Sequence, residues 1–350
     1  MILHIMISEK FAQDYIDRIN KLYGEDEHFF LVYPPKTRYL SEGDIELKNV
    51  LFLDLKQSHK MLKSLIMQSE RIILHSLFLG ILDLRFFYRT IKQYGKHFVW
   101  VVWGGDLYNL YKYNHSLAIF KIKPLINEYY RKKIIKNFGT IVTGSDWEEI
   151  QKRYVTTARK TSAQYVYHFL EDFGEKKHDD YVKVMVGHSA TETCQHEKAF
   201  RELVKYKGRV KIICPLSYPK NERYVSKVNK LGFELFGEDY KPILEFMEYS
   251  QYVSLLNDID IGVFNNSRQQ GMGNITNLLF LGKKVYISEK NTIWKIYDKA
   301  HYEIYGIEEI KNDDFLTPLS AEEKKRNKEN IQYKFSDEKF KSDWDVVFYG

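Results

Sequence analysis

The chain has 350 residues, of which 44% are hydrophobic and 29% charged, with a formal net charge of +6. This balance excludes a disordered or fibrous protein and suits a globular chain of about two domains. The mild net charge gives no reason to expect a dedicated nucleic-acid-binding protein, although 15% aromatic residues is high and hints at stacking or amphipathic surfaces.

The chain begins "MILHIMISEKF", with no basic leader ahead of a long apolar run, so it reads as a first core strand rather than a signal peptide. Further strand-like runs follow at 29–33, 50–54, 71–75, 97–103 and 140–143, with helical stretches between them. Strands alternating with helices predict a parallel, Rossmann-like sheet. The most apolar window, 71–89, contains His75, Asp83 and Arg85 and is too interrupted to span a bilayer. His75 closes one strand and Asp106, in "WGGDLY", follows the next. An imidazole or carboxylate at a strand's carboxyl end can act as a general base. Asp106 can equally cap the helix that starts at Leu107, and His75 can be a structural histidine.

Between residues 107 and 140 stand seven cations, Lys112, Lys121, Lys123, Arg131, Lys132, Lys133 and Lys136, against one acid, Glu128. Tyrosines and phenylalanines are interleaved with them. Such a mixture suits an anionic membrane surface, with Lys121, Lys123, Arg131, Lys132 and Lys133 facing it. A solvated helix face over a core is the other reading.

The polar stretch "EDFGEKKHDDY" (171–181) breaks the alternation and reads as an interdomain linker. A second series follows: strand 182–187, helix near 193–206, strand 210–216, helix 220–231, strand "FELF" at 233–236, helix 241–256, strand 259–264, helix 274–281 and strand 284–287. Cys194 and Cys214 fit neither a metal spacing nor a disulfide framework and point to a reducing cytoplasm. Beyond Leu316 the chain becomes charged and helical over 320–342 and ends in "WDVVFYG". The boundaries predicted are a first domain over 1–173, a linker at 174–181, a second domain over 182–318 and a C-terminal helical segment, 319–350, returning to the first.

Two Rossmann-like halves facing a cleft, with a returning C-terminal helix, describe an α/β chain of the GT-B type. The glycine loop "NNSRQQGMGN" (265–274) lies between a strand and a helix. Glycine permits close backbone approach, and the first N–H groups of a helix lack internal partners, so the turn suits a phosphate. A tight turn relieving a clash is the alternative.

The stretches "VWGGDLYNL" (102–110), "VGHS" (186–189), "CPLSYPKNERYV" (214–225), "LGFELF" (231–236), "YVSLLNDIDIGVF" (252–264) and "SRQQGMG" (267–273) together resemble glycosyltransferase family 56. The known activity of that family moves 4-acetamido-4,6-dideoxygalactose from dTDP to a lipid-linked disaccharide in enterobacterial common antigen synthesis. The resemblance implies a transferase using a nucleoside-diphosphate sugar, dTDP favoured, and a polyprenyl-diphosphate-linked acceptor. It also implies peripheral attachment to the inner face of the bacterial cytoplasmic membrane. Arg268, Gln270, Gly271, Gly273 and Asn274, with Gly187, His188 and Ser189, would hold the donor diphosphate, and Tyr218 and Asn277 its base and ribose. Gln270 and Asn277 stand where many GT-B relatives carry glutamates, which removes the loop as a source of general base. No D-x-D ends a strand, so neither metal nor cofactor is expected. A sugar-nucleotide epimerase of the same fold, or a nucleic-acid-binding protein, stays open as an alternative; the reading carried forward has no nucleic-acid partner.

Overall fold

The computed structural model describes all residues except 10, 35–36, 38–39, 41–45, 56–57, 109–121, 145, 166–179 and 220, and leaves aside the side chains of 122–124, 249 and 299. Two compact units divide the chain: Met1–Tyr167 with Phe335–Gly350, and His168–Lys334. Most of the expected linker, 174–179, lies outside the described residues.

Unit 1 starts with β1 (Ile2–Ile7), α1 (Ala12–Tyr23), β2 (His28–Tyr33), β3 (Val50–Phe52), α2 (His59–Gln68), β4 (Arg71–His75) and α3 (Ile81–Tyr94). It continues through β5 (Phe98–Val101), the short α4 (Gly105–Tyr108), α5 (Ile122–Ile135), β6 (Thr140–Val142), α6 (Trp147–Arg153) and β7 (Arg159–Thr161). Unit 2 runs β8 (Val182–Val186), α7 (His196–Leu203), β9 (Val210–Pro215), α8 (Glu222–Phe236), β10 (Tyr240–Ile243) and α9 (Tyr249–Asp258). Then come β11 (Ile261–Phe264), α10 (Met272–Phe280), β12 (Lys284–Ile287), α11 (Thr292–Lys299), β13 (Tyr305–Gly306) and α12 (Ala321–Lys334). The last helix, α13 (Asp337–Phe348), belongs to unit 1. The segment 319–350 is therefore shared: α12 stays with unit 2 and α13 packs on unit 1.

Both sheets are parallel. In unit 1 the strand order is β3-β2-β1-β4-β5-β6-β7, and in unit 2 it is β10-β9-β8-β11-β12-β13. Each order reverses direction once, between β1 and β4 and between β8 and β11. Parallel strands buried on both faces need near-continuous apolar sequence, which "ILHIMI" and "RIILH" supply. Side chains alternate between faces, so Leu3, Ile5, Leu74 and Trp100 meet α2, α3, α5 and α6 through Leu62, Ile66, Leu84, Phe87, Ile134 and Ile150. The opposite face sets Ile2, Met6, Phe30 and Ile73 against Tyr15 and Ile16 of α1 and against Phe340, Trp344 and Val347 of α13. Arg18 fixes α13 by donating to Asp337 (3.0 Å) and to the Phe335 carbonyl (2.7 Å).

One expected strand is a helix. "FELF" is the last turn of α8, which buries Val228, Gly232 and Phe236 at helical spacing and leaves Phe233 exposed. The strand that follows is β10, "YKPI", and it pairs only with β9. Its Pro242 is tolerated because an edge strand has one side free of ladder bonds. β7 and β13, three and two residues long, also go beyond the sequence reading.

Candidate functional site

In open parallel sheets, ligands bind at the carboxyl ends of the strands where the strand order reverses. In unit 2 that place is formed by β8 and β11. β8 ends in Gly187, His188 and Ser189, while β11 leads through Asn265 and Asn266 into the glycine loop. Gly187 has φ 71° and its N–H donates to the Val263 carbonyl of β11 (2.9 Å), joining the two strand ends. A Cβ there would come within 2.4 Å of His196 Nε2, so only glycine fits.

The loop is held from beneath by buried amides. Asn291 Nδ2 donates to the carbonyls of Asn266 (3.1 Å) and Arg268 (2.7 Å), and Asn266 Nδ2 donates to the Gln270 carbonyl (3.0 Å). Gln270 accepts from the Thr193 hydroxyl, and Ser267 N–H donates to the Thr193 carbonyl (2.9 Å). Gly271 then takes the left-handed conformation, φ 71° and ψ 18°, as the N-cap of α10. A side chain there would press on the His188 ring, at 3.1 Å from Nδ1. No side chain caps α10 and its first turn holds no acid, so its leading N–H groups present positive potential without a built-in counter-charge. Gly273 faces open space, and Asn274 accepts from the Tyr252 hydroxyl (2.9 Å).

Two buried side-chain acceptors at this turn, Asn266 Oδ1 and Asn277 Oδ1, lack a partner within the protein. Buried polar atoms are normally satisfied, so these two are exceptions. Tyr218, 53% exposed, lies in the loop after β9; its carbonyl accepts from Ala190 N–H (2.6 Å).

The "VGHS" side chains turn inward. His188 Nε2 meets Ser189 Oγ at 3.1 Å and its Nδ1 meets Cys194 Sγ at 3.6 Å. Thr191 Oγ1 lies 3.2 Å from the same sulfur. Burial pushes the Cys194 thiol up, but its contacts with His188, Thr191 and Ser189 outweigh this and bring it down to about 6. His188 and Ser189 thus form a polar floor to the turn, with both ring nitrogens of His188 already engaged.

The two candidate bases in unit 1 are both buried and hydrogen-bonded. The Asp106 carboxylate is buried and accepts three hydrogen bonds: Leu77 N–H (2.8 Å) and Trp100 Nε1–H (2.9 Å) on Oδ2, and Trp103 N–H (3.0 Å) on Oδ1. Burial raises its pKa, while Arg131 and the three donors oppose that rise. Asp106 sits inside α4, one residue past its start, and closes the turn after β5; it is neither a helix cap nor an exposed base. His75 is fully buried between His4 (3.0 Å) and the Tyr165 hydroxyl (3.1 Å), and burial lowers its pKa to about 3. It has no free nitrogen for an acceptor hydroxyl.

A family model described as 4-alpha-L-fucosyltransferase, glycosyl transferase group 56, matches residues 17–348. The chain belongs to glycosyltransferase group 56. It is a transferase that moves a sugar from a nucleotide sugar, which leaves the epimerase and nucleic-acid alternatives unsupported. Solved structures share its fold at low identity. A glycosyltransferase from Rickettsia africae ESF-5 is 10% identical with a TM-score of 0.70, over 99% of this chain and 97% of that one. Sucrose-phosphate synthase from Thermosynechococcus elongatus is 11% identical with a TM-score of 0.66, over 99% and 98%. Anabaena HepE, in complex with UDP, is 10% identical with a TM-score of 0.66, over 99% of each chain. The architecture of this group-56 glycosyltransferase is therefore GT-B.

Of the residues expected to face a membrane, Lys121 and the Lys123 side chain lie outside the described residues. Arg131 does not face outward. It is 7% exposed, and its guanidinium donates to the carbonyls of Leu77 (2.9 Å) and Asp106 (2.7 Å). Lys132 and Lys133 are exposed. Among the described residues no cluster of His, Cys, Asp and Glu is arranged to hold a metal, and no helix is long and apolar enough to cross a membrane. Sequence reading missed Asn266, Asn291 and Thr193, which shape the loop. The "NN" before "SRQQG" was their one visible signal.

Proposed function

We propose that this group-56 glycosyltransferase takes a deoxyamino sugar from a dTDP-linked donor, 4-acetamido-4,6-dideoxygalactose or a close analogue. The acceptor is a polyprenyl-diphosphate-linked oligosaccharide at the inner face of the cytoplasmic membrane, in surface polysaccharide synthesis. The observation that carries the donor side is the turn at the reversal point of the unit 2 sheet. There an uncapped, acid-free helix N-terminus follows a left-handed Gly271, with Arg268 three residues before it. Oriented N–H groups and a guanidinium stabilise the charge that grows on the leaving diphosphate. Asn277, whose buried Oδ1 has no partner within the protein, would contact the ribose. The hydrogen bonds that Asp106 and His75 already make favour another group as the base that takes the acceptor proton.

Arg268→Ala is expected to weaken nucleoside diphosphate binding roughly ten- to a hundredfold, the range for a lost charge-assisted hydrogen bond. Calorimetry with dTDP, UDP and GDP measures this and ranks the bases; unchanged affinity for all three would place the diphosphate elsewhere. Transfer is also expected to proceed without a divalent ion, since the donor charge is met by protein groups. Activity in excess EDTA tests it, and loss restored by Mg²⁺ or Mn²⁺ would overturn it.

A further inference from the structure

The glycine loop of unit 2 hangs on one side chain whose whole hydrogen-bonding capacity is engaged. Asn291 is 2% exposed and stands between β12 and α11. Its Oδ1 accepts from the Ile293 N–H (3.0 Å) and caps α11. Its Nδ2 donates to the carbonyls of Asn266 (3.1 Å) and Arg268 (2.7 Å). Two carbonyls and one N–H call for two donors and one acceptor, which is what a side-chain amide carries. The mount is firm. The Asn291 N–H donates to the Ser288 carbonyl (2.9 Å), and the Ser288 N–H to the Phe264 carbonyl at the end of β11 (3.2 Å).

The carbonyls held in this way decide where the loop's amide protons point. A trans peptide is planar, so its N–H points opposite to its carbonyl. With the Arg268 carbonyl drawn to the buried Asn291, the Gln269 N–H is turned to the other side of the loop. Asn266, fully buried, draws the Gln270 carbonyl (3.0 Å) in the same manner, which turns the Gly271 N–H outward. Asn266 Oδ1 has no partner within the protein, so its hold on the loop runs through Nδ2 alone. The peptide between Asn266 and Ser267 is fixed as well, but the Ser267 N–H is engaged by the Thr193 carbonyl (2.9 Å). Outward N–H groups from nearby peptides make a concavity for an anion, and this one leads into the N-terminus of α10.

We propose that Asn291 is a positioning residue for sugar transfer: by fixing the peptides from Asn266 to Gly271 it aims the Gln269 and Gly271 N–H groups at the donor diphosphate. It touches no substrate itself. A loop ordered before the ligand arrives does not have to be ordered by binding, and that saving appears as affinity. The proposal rests on the placement of the diphosphate at this turn and deepens it, since the anion then meets loop amides set by a buried asparagine as well as a helix end.

The test is calorimetry on the full chain with dTDP, UDP and GDP, and with thymidine, uridine and guanosine. Asn291→Ser keeps a capping hydroxyl for α11 but cannot reach both carbonyls, and Asn291→Asp keeps the cap but sets a carboxylate against them. Asn291→Ser should weaken nucleoside diphosphate binding about tenfold, the effect of roughly one hydrogen bond, and Asn291→Asp should weaken it further. The nucleosides have no phosphate to meet the loop, so their affinity should stay as in the wild type. Melting curves on the same samples set a titration temperature at which every variant is folded. A purely structural Asn291 would lower the melting temperature and leave the diphosphate affinity of the folded chain unchanged. Two outcomes would overturn the proposal: wild-type diphosphate affinity in both variants, or equal losses for diphosphates and nucleosides. If Arg268→Ala weakens binding while both Asn291 variants bind like the wild type, the placement of the diphosphate stands and the positioning role is lost. If none of the three variants changes affinity, the placement itself fails, and the positioning role with it.

Discussion

Lowering the pH from 7 to 5 is expected to weaken unit 1 by on the order of 5 kcal/mol, through three histidines that the fold keeps neutral. His4 Nδ1 lies 3.0 Å from His75 Nε2, and His4 Nε2 lies 2.9 Å from His28 Nδ1. The Tyr165 hydroxyl continues the row at 3.1 Å from His75 Nδ1. A neutral imidazole offers one N–H and one lone pair, so the row closes with one proton per link, and an added proton creates a buried imidazolium that desolvation disfavours. Tyr15 from α1, Phe30 from β2 and Trp344 and Phe348 from α13 surround the row, and Tyr23 packs on His28. The charges that act on it are Lys341 and the N-terminal ammonium, both disfavouring protonation of His28. Burial lowers His75 to about 3, and burial first, then the N-terminus and Lys341, lowers His28 to about 4. His4 falls well below the ordinary 6.5, by burial first and then by its two neighbours. Because the folded values are depressed, the unfolded chain binds more protons once the pH drops below about 6.5. Stability is therefore full above that value and is lost as the pH falls towards 4. His75 and His28 each contribute about 2 kcal/mol of loss between pH 7 and pH 5, and His4 adds to it in the same direction. Urea midpoints followed by tryptophan fluorescence report on this, because Trp100, Trp103, Trp147 and Trp344 lie in unit 1. His4→Gln, which cannot titrate, should lose less over the same interval. Equal midpoints at both pH values for the wild type would show that the row is already protonated or absent in solution.

That row also shows where reading from sequence stops. The alternation of apolar strands with helices made two parallel sheets legible, because a strand buried on both faces must be apolar throughout. His4, His28 and His75 look scattered in the chain. Only the strand register, Ile2 opposite His28 and Met6 opposite His75, puts them on one face in a diagonal. Register between strands some 70 residues apart leaves no local trace. Arg131 is different, since the information was present. Ile134, Ile135 and Phe138 are buried three, four and seven residues on, so helical spacing turns Arg131 inward and Lys132 and Lys133 outward. Grouping "RKK" by charge hid that phase. At the glycine loop the turn and helix were readable because Gly271 and Gly273 interrupt an otherwise continuous pattern. Its supporting amides were not, since Asn291 reaches the loop from 23 and 25 residues away.

Replacing Asp106 is expected to unsettle the fold of unit 1 before it touches the chemistry. Its carboxylate accepts from the Leu77 and Trp103 amides and from the Trp100 indole N–H, and these come from the loop after β4, from the turn beyond β5 and from β5 itself. Arg131 binds the backbone of the same turn, so its charge is also balanced there. Asp106→Ala would leave the buried Leu77 and Trp100 donors and the half-buried Trp103 N–H without this acceptor, and would take one of two carboxylates from beside Arg131, which keeps Glu128. Unsatisfied buried donors cost about 1–3 kcal/mol each, so the total is on the order of 4 kcal/mol even after water enters part of the space. For a unit of this size that corresponds to a fall of roughly 10 °C in melting temperature. Asp106→Asn keeps one carbonyl acceptor but turns an N–H₂ towards a donor, so it should lie between the wild type and the alanine variant. A catalytic base gives the opposite pattern: both variants would melt with the wild type and lose kcat by a factor of about 100 or more. Melting curves and kcat measured on the same two variants separate these cases. Nucleoside diphosphate affinity, which reads unit 2, should be unchanged in both. If the alanine variant melts like the wild type while turnover collapses, Asp106 is the base, and the three donors around it serve to orient a reacting carboxylate rather than to close the turn.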